Sequence, residues 1–417
     1  MSFGVGVMRM PMNTTANRRK SNRLPASICA LLALAPLAMA SSAQSIPGET
    51  LVTQQRDLID PEFSHARNKI AWADRDGGLW IADVDPATGL FVPANGKGVL
   101  VDPAAMAASD IRILGNGPEW ISTATGDQIV YTKFLASVPK TRTNARLALA
   151  QQVRDGSWRY DFLAPANLPR AVPYASRDWR DPSPRISYVG PGGNHYWRNL
   201  YDPSSEQRVE GYPMSQYYYA LRFADGMRGA SFPAPVDGVS QVFYHDLDSG
   251  IDTQLTFDAG QKDLASRAWI WYAPEFGGAK VMMTVADNTE LRIYREDPGQ
   301  QEWMLVRSIR MPQDGTINSP EYFTYNGASY VFFVGSVPPA TFPSQLFLAN
   351  IDPADPLLLQ LTPDSPLRMR TDPEVFIADD GPWIYFNRQT IDLTGSQYCL
   401  SCNEGIFRSY TGLAPQG

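Results

Sequence analysis

Short apolar runs of about four to eight residues, each closed by turn-forming residues, recur along most of the chain. KIAWAD from Lys69, QIVYTK from Gln128, KVMMTVAD from Lys280, SYVFFVGS from Ser329 and WIYFNR from Trp383 are rich in Val, Ile, Tyr, Phe and Trp. Bounded by Gly, Pro, Asp or Asn, such runs predict β-strands. A second run follows most of them: GLWIADVD from Gly78, ARLALAQQV from Ala145, ELRIYRED from Glu290 and QLFLANID from Gln345. Third runs follow at TQLTFD from Thr253 and LLLQLTPD from Leu357. Connections such as Asp85-Pro86-Ala87-Thr88-Gly89 and Asp248-Ser249-Gly250 are short enough only for antiparallel neighbours. Each group of runs is thus a small meander. Its sheet is apolar on both faces, so it must be covered by a neighbour on each side.

The meanders share an opening. A Pro-Glu-apolar triplet recurs at Pro61-Glu62-Phe63, Pro118-Glu119-Trp120, Pro274-Glu275-Phe276, Pro320-Glu321-Tyr322 and Pro373-Glu374-Val375. Between residues 118 and 274 the spacing leaves room for further copies, one near Pro184 and a degraded one beginning near Tyr218 and leading to QVFYHDLD from Gln241. Starts near 61, 118, 184, 222, 274, 320 and 373 predict an all-β fold, a seven-bladed β-propeller of four-stranded antiparallel blades. Six blades is the alternative, because the middle is ambiguous. Radial closure leaves no long exposed edge, and the segment from Ile46 to Leu58 is expected to add an outer strand to the last blade.

Composition fits this reading. Charged residues are 19% of the 417, and 32 Gly with 34 Pro make the chain turn-rich. The 10 Trp, 19 Tyr and 18 Phe supply a large core and exclude wholesale disorder. Residues 1–43 stand apart: Arg18, Arg19, Lys20 and Arg23 precede an apolar run from Leu24 to Met39 and then small residues, the pattern of a cleaved signal peptide. That run is shorter than a bilayer span needs and contains Pro25 and Pro36. Residues 44–417 are then a single propeller domain, periplasmic or secreted. Without the five cations before residue 44, 31 Lys and Arg face 43 Asp and Glu, a net charge of −12. Such a surface repels phosphate backbones, so no nucleic-acid partner is expected. No membrane span is expected after cleavage, and the expected state is a monomer.

Two cysteines follow the leader, Cys399 and Cys402 in YCLSCNEG, and in an oxidising compartment they are expected to form a local disulfide. Zinc would need a second pair of ligands, and His65, His195 and His245 are dispersed.

The run Pro-Glu-Phe-Ser, KIAWAD and GLWIADVDPATG resembles the TolB-like, WD-type periplasmic propeller repeat, whose copies read Pro-x-aromatic-Ser, then I-A-F and L-W-x-x-D. The resemblance implies a soluble periplasmic propeller. The family's Pro-Asp-Gly turn is replaced here by His65-Ala66-Arg67-Asn68 in the first copy and Thr123-Ala124-Thr125-Gly126-Asp127 in the second.

Candidate chemistry is sparse. If each triplet lies on the innermost strand of its blade, Glu62, Glu119, Glu275, Glu321 and Glu374 approach the central channel. There they can hold a divalent cation, or supply the paired acid and base that glycosidases use. The competing reading makes the repeated Glu structural, accepting hydrogen bonds from the neighbouring blade. No Gly-x-Ser-x-Gly elbow or phosphate-binding glycine loop occurs. His195, in Gly-Gly-Asn-His-Tyr-Trp, is the histidine best placed for a ligand loop. With it come Trp197, Arg198, Trp179, Glu119 and Glu275 as candidate ligand-binding residues. Aromatic density is high between residues 174 and 223: Tyr174, Trp179, Tyr188, Tyr196, Trp197, Tyr201, Tyr212, Tyr217, Tyr218, Tyr219 and Phe223. Arg177, Arg180, Arg198 and Arg222 lie among them and suit an acidic ligand such as a uronate.

The favoured function is a non-catalytic exported binding or scaffold protein with a protein, carbohydrate or other cell-envelope ligand. The alternative is a carbohydrate-active enzyme, a lyase or glycosidase, with its site at the channel mouth. A metal-dependent phosphoesterase-like propeller ranks third, for want of clustered acidic loops. The first two classes differ in what they require. An enzyme needs acidic or His side chains converging with shifted titration, and a scaffold needs a broad aromatic-rimmed face without that convergence.

Overall fold

The computed structural model describes residues 48–415, except 54–57, 65, 75, 93–97, 106–116, 124–125, 137, 178–182, 213–219, 263–267, 301, 339–341, 364–366 and 392–401. Seven antiparallel sheets succeed one another in chain order, and the helical elements among the described residues are single 3-10 turns. The fold is a seven-bladed β-propeller.

The innermost strands are Ile59–Ser64, Glu119–Thr123, Ala171–Ala175, Arg222–Phe223, Trp269–Ala273, Thr316–Tyr325 and Arg368–Ala378, in blades 1 to 7. Two expected starts move. Blade 3 begins at Ala171, and Arg185–Val189, expected to open it, is its second strand. Blade 5 begins at Trp269, so Pro274-Glu275-Phe276 is the 3-10 turn that follows its first strand.

Every seam between successive blades has its own apolar cluster. Blades 1 and 2 share Ile81, Trp120 and Ile129, blades 5 and 6 share Trp271, Ile293 and Phe333, and blades 7 and 1 share Phe376, Tyr385 and Trp72. Similar clusters fill the other seams. Each sheet thus buries both faces, which is why a single meander has no stable existence apart from its neighbours.

The ring closes as expected. Thr50–Thr53 pairs antiparallel with Asn403–Tyr410 as the outer strand of blade 7, Thr50 opposite Arg408 and Leu51 opposite Phe407. Just before it, the inaccessible carboxylate of Glu49 accepts from Arg370 Nε at 2.6 Å and from Arg388 Nη1 at 2.8 Å. Arg388 Nε also donates to Glu404 Oε2 at 2.6 Å. The start and end of the ring are therefore joined by backbone pairing and by a buried ion network.

Candidate functional site: the carboxyl-lined channel

A shared backbone device sets the innermost strands. Asp60, Val172, Ser319 and Asp372 each adopt a left-handed conformation, with φ of 55°, 58°, 46° and 50°, immediately before Pro61, Pro173, Pro320 and Pro373. Strand register breaks at each place, between Ile59 and Glu62, Ala171 and Tyr174, Asn318 and Glu321, and Thr371 and Glu374. Proline fits there because an innermost strand has one unpaired edge, and the bulge absorbs the lost donor. The neighbouring blade uses the freed carbonyls: Trp120 Nε1 donates to Glu62 O at 2.7 Å, and Trp269 Nε1 donates to Pro320 O at 2.8 Å.

The bulges aim carboxyls at one another. Burial, then the charges of Glu374, Glu119, Asp60 and Glu321, pushes the Glu62 carboxyl well above the ordinary glutamate value. Burial also raises Glu374, with Glu321 the next cause, while the Arg177 guanidinium opposes the rise. Asp60 is raised by burial and then by Asp372 and Glu119, against the backbone N–H of Gly117. Burial brings Asp372 up to about 6. Gly117 approaches so closely that a Cβ there would stand 2.1 Å from Asp60 Oδ2, so blade 2 needs glycine where blades 1, 3, 6 and 7 carry Asp60, Val172, Ser319 and Asp372. Blades 6, 7, 1 and 2 thus contribute Glu321, Asp372, Glu374, Asp60, Glu62 and Glu119 to a single electrostatic cluster.

The remaining blades face it with arginine and aromatic rings. Arg177, just past the first strand of blade 3, approaches Glu321 Oε2 at 3.5 Å and lies 4.3 Å from the Trp269 ring centre. Arg222 of blade 4 covers the same indole at 3.5 Å. Tyr322 stacks on Trp271 at 4.1 Å, and its hydroxyl donates to Asp225 Oδ2. Burial works against the Arg177 charge, but Glu321, Asp225, Glu374 and Glu62 more than compensate and hold it protonated. Its side chain keeps 38% exposure, so water reaches the crowded channel.

Glu62, Glu119, Glu321 and Glu374 therefore come together as four of the five triplet glutamates. Glu275 does not join them: its carboxylate accepts from Ser329 N at 2.9 Å and Ser329 Oγ at 3.0 Å, tying blade 5 to blade 6. His195, Trp197 and Arg198 lie on the third strand of blade 3 and are buried, with the His195 ring stacked 3.6 Å from Tyr212. Tyr174, Tyr188, Tyr212 and Phe223 are likewise buried, whereas Tyr201 is exposed. Trp179, Tyr217, Tyr218, Tyr219, Arg180, His65 and Cys399 lie outside the described residues.

Asp60, Asp372 and Asp225 went unread as site residues in the sequence, and Arg177 was read there as a partner for an acidic ligand rather than for the channel acids. For the first two, the Asp-Pro-Glu string at both triplets was the available signal. Among the described residues no three His, Cys, Asp or Glu are placed to share a metal ion, and no helix is long and apolar enough to cross a membrane.

No family model and no curated protein matches the chain. Solved structures do. An ancestral GH74 enzyme superposes with a TM-score of 0.52 at 11% identity, over 86% of this chain and 49% of that one. U3-55K gives 0.51 at 10% identity, over 87% of this chain and 98% of that one. The likeness is one of fold. TolB from Acinetobacter baumannii is 15% identical over 83% of this chain and 79% of that one, with a TM-score of 0.40.

Proposed function

We propose that the protein is an exported carbohydrate-active enzyme of the glycosidase type, with its reaction centre in the channel. One observation carries the reading: carboxyls from different blades converge on the channel in unequal environments. Glu62 and Glu374 are pushed up by burial and like charge, which suits proton donation, while Glu321 is paired with the Arg177 guanidinium. That division is what glycoside cleavage needs. The protonated carboxyl gives its proton to the glycosidic oxygen as the bond from that oxygen to C1 breaks. Water adds to C1 and passes its proton to the arginine-paired carboxylate. The scaffold alternative expects a broad aromatic rim, but among the described aromatic residues named for it Tyr174, Tyr188, Trp197, Tyr212 and Phe223 are interior.

Residues 1–43 act in this proposal as a cleaved leader, Cys399 pairs with Cys402, and the TolB-like repeat reflects a periplasmic setting. The test uses the mature chain, incubated with a panel of oligosaccharides and assayed for new reducing ends. Glu374→Gln, Glu62→Gln and Glu321→Gln are expected to lower kcat by about 10²-fold or more, as loss of a general acid or base does. Glu275→Gln is expected to leave kcat within about twofold. Absence of cleavage across neutral, acidic and amino-sugar oligomers would overturn the reading.

A further inference from the structure

Blade 5 ends on a long edge. Its outermost strand, Glu302–Arg310, runs nine residues, whereas Trp158–Phe162 of blade 2 has five and Thr50–Thr53 of blade 7 has four. Asp252–Gln254 of blade 4 and Leu358–Gln360 of blade 6 have three each. A short outer strand offers a partner little to pair with, but nine residues in a row present a template. The strand, EWMLVRSIR, holds no Pro and no Lys, the residues that most often guard an edge, and its Met304 and Leu305 are 41% and 49% exposed. Its central cation is engaged within the ring: Arg307 Nη1 donates to Asn350 O at 2.6 Å and Nη2 to Leu357 O at 2.9 Å, both of blade 6. Exposed apolar residues flank the edge on both sides. Leu358 and Leu359 follow the residue that Arg307 holds, and Phe257 precedes Asp258, which accepts at 2.8 Å from the hydroxyl of Tyr294 opposite Leu305.

We propose that this edge pairs with a second copy of the chain, antiparallel about a two-fold axis, so that one sheet runs through both fifth blades. Charge favours that occupant. Glu302 and Arg310 stand at opposite ends of the strand and both are exposed; Arg310 has Glu290 at 3.3 Å but keeps most of its surface in water. Antiparallel pairing brings the acidic end of each copy to the basic end of the other, twice over by symmetry. Backbone shape points the same way. Arg307 stands opposite Ile293 and Leu305 opposite Tyr294, which leaves Val306 as an extra residue that bends the edge. Such a bend guards against a straight strand, whereas a second copy carries the same bend beside the axis. Met304 and Leu305 of the two copies then meet near that axis and leave water. The channel takes no part in the contact, so the dimer and the proposed reaction stand independently.

The experiment is sedimentation equilibrium of the mature chain across about 1–100 µM, with circular dichroism on every variant to check the fold. The parent is expected to pass from monomer to dimer within that range. Leu305→Lys, which sets a charge in the joint, is expected to weaken the dimer by about tenfold or more. Val99→Lys, at an exposed position on the outer strand Val99–Asp102 of blade 1, is expected to leave it unchanged. Glu302→Arg and Arg310→Glu bring like charges together, and each alone is expected to weaken association by about tenfold, while the two combined restore it to within about threefold. These two side chains are exposed, so the charge reversals decide the matter if Leu305→Lys does not fold. A parent that stays monomeric at the highest concentration overturns the inference, whether or not the edge then accepts some other extended peptide. A dimer indifferent to Leu305→Lys also overturns it, as does one that the combined reversal fails to restore, because the contact then lies on another surface.

Discussion

Glu275 accepts two hydrogen bonds from Ser329, at 2.9 and 3.0 Å, whereas Glu374 accepts none among the described residues and is almost fully buried. The same residue type at the same place in a repeated triplet thus meets two different demands. Removing the Glu275 carboxylate leaves a Ser329 amide without its acceptor, so Glu275→Ala is expected to destabilise the fold by about 1–3 kcal/mol, read as a lower urea midpoint. Glu374→Gln has the opposite sign. It deletes a carboxyl whose charge is opposed by burial and by Glu321, so at pH 7.5 the variant is expected to be as stable as the parent or more so. Stability held or gained while ligand binding falls marks a residue kept for function. A marked loss of stability in Glu374→Gln would assign it to the architecture instead.

Four of the five triplets led to innermost strands, and at Glu62, Glu321 and Glu374 the Pro-Glu pair sits on the same register break. Blade 3 escaped because its bulge is written Val172-Pro173-Tyr174, with the backbone device retained and the glutamate lost. Blade 5 misled for the converse reason: Pro274 and Glu275 start a 3-10 turn, where proline is equally at home. Asp225 and the pairing of Arg177 with Glu321 were beyond reach, since both residues follow short first strands and only ring geometry brings them to the acids. The closing strand was legible as an element, but its ion network was not. Glu49→Ala leaves Arg370 and Arg388 buried without that carboxylate, and loss of one partner of such a group typically costs about 3–5 kcal/mol. Hydrogen exchange should then accelerate first in Asn403–Tyr410, which loses its partner strand. Uniform acceleration across all blades would mean that closure is not a separable element.

At the scale of the whole ring, repetition has an electrostatic consequence. A side chain carried at equivalent places in several blades is delivered to one axis, so like charges converge however well each blade folds. Here the acids come from blades 6, 7, 1 and 2, and the arginines from blades 3 and 4, which lack the Pro-Glu pair. Burial favours the protonated form of these carboxyls, and like charge adds to it at Glu62, Asp60 and Glu374. Asp372 titrates near 6 in the folded chain against about 4 when unfolded, and Glu62, Asp60 and Glu374 are raised too. Between those values the folded chain binds more protons, so this contribution is complete below about pH 4 and is lost as pH rises through 6. Many carboxylates outside the channel pull the other way in strong acid, which makes the difference between parent and variant the useful quantity. Asp372→Asn, neutral at every pH, is expected to exceed the parent by about 1–2 kcal/mol at pH 7.5 and to match it near pH 3.5. Denaturant midpoints at the two pH values decide the point. A parent–variant difference that does not change with pH would show that burial does not raise the Asp372 carboxyl.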